Sequence, residues 1–234
     1  MKVTILPANF AGEPEVVAML QAFYSRSTEP IADRLARLGS NVDSVKTALN
    51  RYYVGYGHKS IGDCGTATLF IEGVSILAAK AVQDDPRYNG QECSTRYINI
   101  SDAVPEFEYP SSKEWRELYL KASSIVLDSV RKMHPRLEGE SEAIHANATM
   151  AYAFDITRGL LPASTLTNLS ITASLRVLRE VSVALRGSPL PEVRALGDLM
   201  NTELVTAYPA SFPVESQGDQ TEIDWRRNSR SMYY

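Results

Sequence analysis

Apolar positions recur along this chain at spacings that mark its elements. Lys2–Leu6, ended by Pro7, predicts a short first strand. Val16, Val17, Leu20 and Phe23 then form a helical stripe, and Glu13-Pro14-Glu15 places acid and proline in its first turn, where a helix accepts both. A polar break at Ser25–Thr28 precedes an Arg-rich segment, Ile31–Leu38. Asp43 caps a further helix in which Val45, Leu49, Tyr52 and Tyr53 recur, ending in Gly55–Ser60. Thr66–Val74 mixes β-branched and aromatic residues and predicts a strand; Ser75 starts a helix carrying Ile76, Leu77, Ala79 and Val82. After a loop at Ser101–Pro110, Ser112 caps an amphipathic helix with Trp115, Leu118, Ala122, Ile125, Val126, Ser129 and Met133 on one face. A turn at His134–Gly139 leads to a helix over Glu140–Thr157. The longest helix is expected at Ser164–Arg186, with Ile171, Leu175, Leu178, Val181 and Leu185 as its apolar stripe and Arg176, Arg179 and Arg186 beside it. Pro189 and Pro191 separate a last helix, Glu192–Tyr208, and from Pro213 the periodicity ends, predicting a flexible tail over 213–234. The pattern describes one α+β domain over residues 1–212.

Composition narrows the class without changing that picture. The chain has 234 residues, enough for one sizeable core, and its 44% apolar and 22% charged content is that of an ordinary globular protein. A net charge of −4 supplies no general attraction for nucleic acid or an anionic membrane, so any anion site must be local. Cys64 and Cys93 are too few for a disulfide scaffold and suit a reducing cytoplasm. Glu72 and Lys80 interrupt the longest apolar run, so no membrane span is expected, and Met1–Pro7 has no signal-peptide pattern. His58, His134, His145 and the cysteines lie far apart without ligand spacing, and no metal site is expected.

The densest chemistry lies in Gln83–Tyr97, Q-D-D-P-R-Y-N-G-Q-E-C-S-T-R-Y. Arg87 and Arg96, the carboxylates Asp84, Asp85 and Glu92, the amides Asn89 and Gln91, and Ser94 sit there beside an apolar element, an arrangement suited to an anion or nucleotide site. Arg158 and the arginines of 176–186 add guanidinium forks, which bind phosphate bidentately when they converge. The bland alternative for each arginine is a surface ion pair, such as Arg176 with Glu180 at i+4. Cys93, three residues before Arg96, is either a nucleophile with a lowered pKa or an inert buried thiol.

Four separated motifs resemble the flavin-dependent thymidylate synthase family. Gly57-His58-Lys59-Ser60 is similar to its Gly-His-x-Ser/Thr segment, and Gln91-Glu92-Cys93-Ser94-Thr95-Arg96-Tyr97 to the second half of its signature. Arg158-Gly159-Leu160-Leu161-Pro162 resembles Arg-x-x-Leu-Pro, followed by Thr167–Arg176 and a helix-ending Leu185-Arg186. The departures fall in the signature itself. Asp84-Asp85-Pro86 stands where the family has Arg-His-Arg, Ser174 where it usually has asparagine, and Glu180 where it has another amide. Carboxylates there repel phosphates by the Coulomb term that arginines would use to attract them.

The resemblance implies helices packed around a small mixed or antiparallel sheet, and flavin-dependent methylation of uracil C5 in a uridylate, dUMP or UMP. FAD would be the cofactor, NADPH the reductant and methylenetetrahydrofolate the carbon donor. It implies that Gln91, Glu92, Ser94, Arg96, Arg158 and Arg186 bind substrate, with Arg158 and Arg186 closest to the chemistry and Arg186 coming from a neighbouring subunit of a homotetramer. His58, Ser60, Arg87, Asn89, Ser174 and Arg176 would be the flavin-side residues, with Arg87 partly substituting for the lost basic group. Two other readings stand beside this one: a catalytically weak paralogue that binds nucleotide or supports a partner subunit, and a Cys93-dependent transferase.

Overall fold

The computed structural model of the chain describes residues 1–6, 13–25, 30, 32–33, 47, 59–96, 112–212 and 217–231. His58, Tyr97, the Arg-rich segment after residue 33, the helix expected after Asp43 and the loop Ser101–Pro110 lie wholly or almost wholly outside them. Strand β1 (Lys2–Ile5) pairs antiparallel with β2 (Thr66–Ser75), Val3 opposite Ile71, and β3 (Leu166–Ser174) completes a sheet ordered β1-β2-β3. Alternation explains β2: Ala67, Leu69 and Ile71 are buried and their neighbours are not, the period-2 pattern of a half-covered sheet. At its far end Gly73 adopts φ +67°, a conformation glycine reaches without strain, and its N–H donates to Asn168 Oδ1 at 2.9 Å. The fold is α+β, as the sequence leads one to expect.

The helices are α1 (Pro14–Tyr24), α2 (Ile76–Gln83), α3 (Ser112–Met133), α4 (Glu142–Thr157), α5 (Leu175–Arg186), α6 (Pro191–Ala207) and α7 (Gln217–Ser231). Proline opens α1 at its first turn, and Ser75 Oγ accepts the Ala78 N–H at 3.0 Å to start α2. None of the described helices is long and apolar enough to cross a membrane.

By its contacts the chain forms two compact units, a boundary the sequence does not mark. The first holds residues 1–72, 80–91 and 169–234; the second holds 73–79 and 92–168. In the first, α5 packs on α6, with Leu178, Val181 and Leu185 of α5 and Leu196, Met200 and Leu204 of α6 all buried and Ser182 Oγ donating to the Gly197 carbonyl at 3.2 Å. Each such apolar side chain contributes about 2 kcal/mol of transfer free energy. Ala18, Met19 and Ala22 of α1 pack on Ile61 and Ala210, and the buried Glu15 accepts the Ser211 N–H at 2.8 Å. In the second unit α3 packs on α4, burying Tyr119 and Val130 of α3 and Thr149, Ala153 and Thr157 of α4.

Three sequence expectations change. The long helix expected over Ser164–Arg186 is strand to Ser174 and helix only from Leu175. Thr167, Leu169, Ile171 and Ala173 alternate inward, and that period of two outweighs the helical spacing of Ile171 and Leu175. The stripe expected to be the core face of α3 lies largely outward: Trp115, Leu118, Ile125 and Met133 are 43–63% exposed. The expected flexible tail contains helix α7, anchored by Ile223 at 2% exposure. Ile223 and Trp225, the second of them exposed, leave too weak a stripe among the polar residues to read from sequence.

Candidate functional site

The signature stretch leaves α2 at Gln83 and then runs along β3 through Asn89, Gln91 and Cys93. The Thr172 N–H donates to the Asn89 carbonyl and the Ser170 N–H to the Gln91 carbonyl, both at 2.7 Å. Further on, the Cys93 N–H donates to the Asn168 carbonyl at 2.8 Å. These bonds cover the outer edge of the sheet and fix the register of the signature residues. Gly90 is demanded by this fit: a Cβ there would lie 1.9 Å from the Ser170 carbonyl oxygen. Half-buried Cys93 thus has its N–H committed to β3.

In the second unit the structure brings together two of the expected substrate residues. Arg96 donates from Nε and Nη2 to Asp155 Oδ1 at 3.2 and 3.0 Å, and Arg158 Nη2 meets the same oxygen at 3.0 Å. Arg158 begins the short 3-10 turn Arg158–Leu160 that ends α4, so Asp155 lies one helical turn before it. Two guanidiniums share one carboxylate. Both arginine side chains are nearly half exposed, at 45% and 48%. Exposed pairs contribute only about 0–1 kcal/mol, whereas a hydrogen bond to a charged group contributes about 1.5–3 kcal/mol. Glu92 is exposed and Ser94 half-buried on the same stretch, the Ser94 Oγ accepting the Arg96 N–H at 3.4 Å. Sequence reasoning missed Asp155; its i−3 spacing from Arg158 is the signal that could have found it.

In the first unit the charge ratio is reversed. Arg87 donates from Nε and Nη2 to Asp85 at 2.9 and 2.7 Å and from Nη1 to Glu180 at 2.5 Å. One guanidinium is shared by two carboxylates, a trio with one net negative charge. The hydrogen bonds to Arg87 hold the Asp85 carboxyl below its ordinary pKa, burial opposing them, and the same pairs push the guanidinium further up. Arg176 is tied to Asp63 through Nε and Nη2, both at 2.7 Å, so its partner is not Glu180. Ser174 caps α5 on the Val177 N–H and donates to Asp63 at 3.3 Å. Asp63, also missed from sequence, belongs to the 3-10 turn Lys59–Cys64 that carries exposed Ser60. Arg186, at the end of α5, donates from Nε to Asp198 at 2.8 Å. It belongs to the first unit, and Arg96 and Arg158 belong to the second.

A cavity of about 550 Å³ opens beside these groups, lined by Arg87, Arg176, Arg179 and Arg226. Asp84, Asp85, Glu180, Asp219 and Glu222 line it too, so carboxylates exceed guanidiniums by one. As folded, that lining does not fit a flavin's pyrophosphate, which needs unspent positive charge. Arg87 does not stand in for the lost basic residues, because Asp85 and Glu180 consume it.

The profile of the family described as thymidylate synthase complementing protein, Thy1, matches residues 8–210. A UPF0159 protein of Chlamydia pneumoniae is 30% identical over 212 residues, covering 82% of this chain and 40% of the relative. One of Chlamydia muridarum is 30% identical over 174 residues, covering 66% of this chain and 33% of its own length. The chain thus spans less than half of either curated relative. Among solved structures, thymidylate synthase X from Helicobacter pylori with FAD and dUMP shares the fold at TM-score 0.50 and 17% identity, over 91% of this chain and 98% of that one. The UMP/dUMP methylase PolB from Streptomyces cacaoi bound with 5-Br dUMP does so at 0.53 and 16%, over 90% and 92%. With a family match that runs through the β3-bound signature and the Arg158 turn alike, this chain belongs to the thymidylate synthase complementing protein family.

Proposed function

We propose that this Thy1 chain binds a uridylate, UMP or dUMP, for flavin-dependent methylation at uracil C5. The observation that carries this reading is the pair of guanidiniums, Arg96 and Arg158, converging on Asp155. A monoester phosphate would replace Asp155 as the shared acceptor, while Glu92 and Ser94 supply polar groups beside it and Gln91 precedes them on the same stretch. The related H. pylori structure holds FAD and dUMP, and the PolB structure a brominated dUMP, which supports the ligand class.

FAD, NADPH and methylenetetrahydrofolate belong to this reading through the family, as do a cytoplasmic setting and a homotetramer whose neighbouring subunit lends Arg186. The outward apolar face of α3 supports such an assembly, since Trp115, Leu118, Ile125 and Met133 gain most by being covered. A family domain spanning 1–212, with α7 packed onto it, completes the proposal.

A second reading is favoured by one observation, the consumption of Arg87 by Asp85 and Glu180. In it the chain binds uridylate but holds no flavin of its own, and supports a partner subunit. Incubating the protein with UMP or dUMP, FAD, NADPH and methylenetetrahydrofolate separates the two. The first reading predicts a uridylate heavier by one methyl group in mass spectrometry. Bound but unmethylated uridylate would transfer support to the second, and failure to bind uridylate at all would end both.

A further inference from the structure

Helix α7 lies beyond residue 210, where the family match stops, yet it is built into the first unit. Ile223 is 2% exposed, and α5 ends in a glycine against α7: a Cβ on Gly187 would lie 2.6 Å from that of Arg226. From this seat Asp219 Oδ2 accepts from Arg179 Nε at 2.9 Å and Nη2 at 2.6 Å. The pair is only 18% and 28% exposed, so it is better shielded than the Arg96 and Arg158 contacts. Arg179 lies three residues along α5 from Arg176 and lines the same cavity of about 550 Å³, a size that admits a small ligand. A carboxylate oxygen that takes two N–H groups of one guanidinium occupies the place a phosphate oxygen takes at such a group.

We propose that α7 is an autoinhibitory plug on a phosphate site, with Asp219 standing at Arg179 in place of a phosphate-bearing ligand. The charges give the plug its effect. Asp219, Glu222 and Arg226 bring one net negative charge into the cavity, and without them the lining is neutral. Of the described side-chain hydrogen bonds of Arg179, only one to the Ser211 carbonyl, at 3.5 Å, would remain. That guanidinium is then the one a phosphate engages. The inference rests on the family reading only in choosing FAD as one of the ligands to test.

The test compares the wild type, Asp219→Asn and a chain ended at Phe212 for binding of inorganic pyrophosphate and FAD at low ionic strength, where screening is weak. Both altered proteins should bind pyrophosphate at least about tenfold more tightly than wild type, and Arg179→Ala added to Asp219→Asn should abolish the gain. A matching gain for FAD assigns the site to the flavin's phosphates; a gain for pyrophosphate alone assigns it to another phosphate ligand. Removing α7 uncovers the core around Ile223 and can unfold the shortened chain, so thermal melting is recorded alongside and Asp219→Asn then decides. Pyrophosphate binding by Asp219→Asn equal to or weaker than wild type would overturn the plug. UMP affinity, measured on the same preparations, reports on Arg96 and Arg158 separately, so loss of the uridylate reading cannot be mistaken for loss of the plug.

Discussion

Arg158→Ala should weaken UMP and dUMP binding by roughly 30-fold, about 2 kcal/mol, while lowering the stability of the protein by less than about 1 kcal/mol. The two magnitudes separate because the guanidinium has different partners in the two states. In the free protein this half-exposed guanidinium meets a half-buried Asp155 that it shares with Arg96, and water replaces such a contact at little cost. In the complex it would face a dianionic phosphate, and its loss removes one of the two guanidiniums that converge there. Arg96→Ala should act alike, and the double variant should cost less than the sum, because the two groups act on one phosphate. Calorimetric titration beside urea unfolding measures both quantities. A stability loss that matches the affinity loss would instead make Arg158 a structural residue.

The largest effect on folding is expected at Gly90. An alanine Cβ would lie 1.9 Å from the Ser170 carbonyl oxygen and 2.8 Å from the Tyr88 hydroxyl. Neither the backbone oxygen nor the β3 ladder can give way cheaply, so the Asn89–Gln91 segment must lift and lose its 2.7 Å bonds from Thr172 and Ser170. Gly90→Ala should cost about 3 kcal/mol, lowering Tm by roughly 6–12 °C in a chain of this size. Gly159 is the internal control: nothing lies within 4 Å of a Cβ placed there, and Gly159→Ala should stay within about 0.5 kcal/mol of wild type. Equal melting temperatures for the two variants would mean that the signature does not rest on β3 in solution.

The dependence on β3 also shows where the sequence could and could not be read. Pro14 in a first turn, the β-branched run of β2 and the serine that starts α2 are local signals, and the structure repeats them within a residue or two. Residues 164–186 mislead because two periods overlap: Ile171, Leu175 and Leu178 satisfy a helix, while Thr167, Leu169 and Ala173 satisfy a strand. Helix α7 is invisible locally because its place is set by tertiary contacts, Ile223 in the core and Asp219 on Arg179. The site divides in the same way. Arginine positions could be named from motifs, but their worth depends on acids distant in sequence: Asp63 is 113 residues from Arg176, and Glu180 is 93 from Arg87. The substitution of Asp84-Asp85-Pro86 for a basic triplet was legible. That Arg87 would be spent on its own neighbour and on α5 was not, since nothing in the sequence fixes the path from α2 to α5.

Two arginines on one acid in one unit, and one arginine between two acids in the other, make phosphate recognition by Arg96 and Arg158 the central claim. Titrating the wild-type protein with UMP and with uridine tests it most directly, because the two ligands differ only in the phosphate. UMP should bind at least about a hundredfold more tightly than uridine, with the difference shrinking as salt is raised. Equal affinity for UMP and uridine, or no binding of either, would contradict the account.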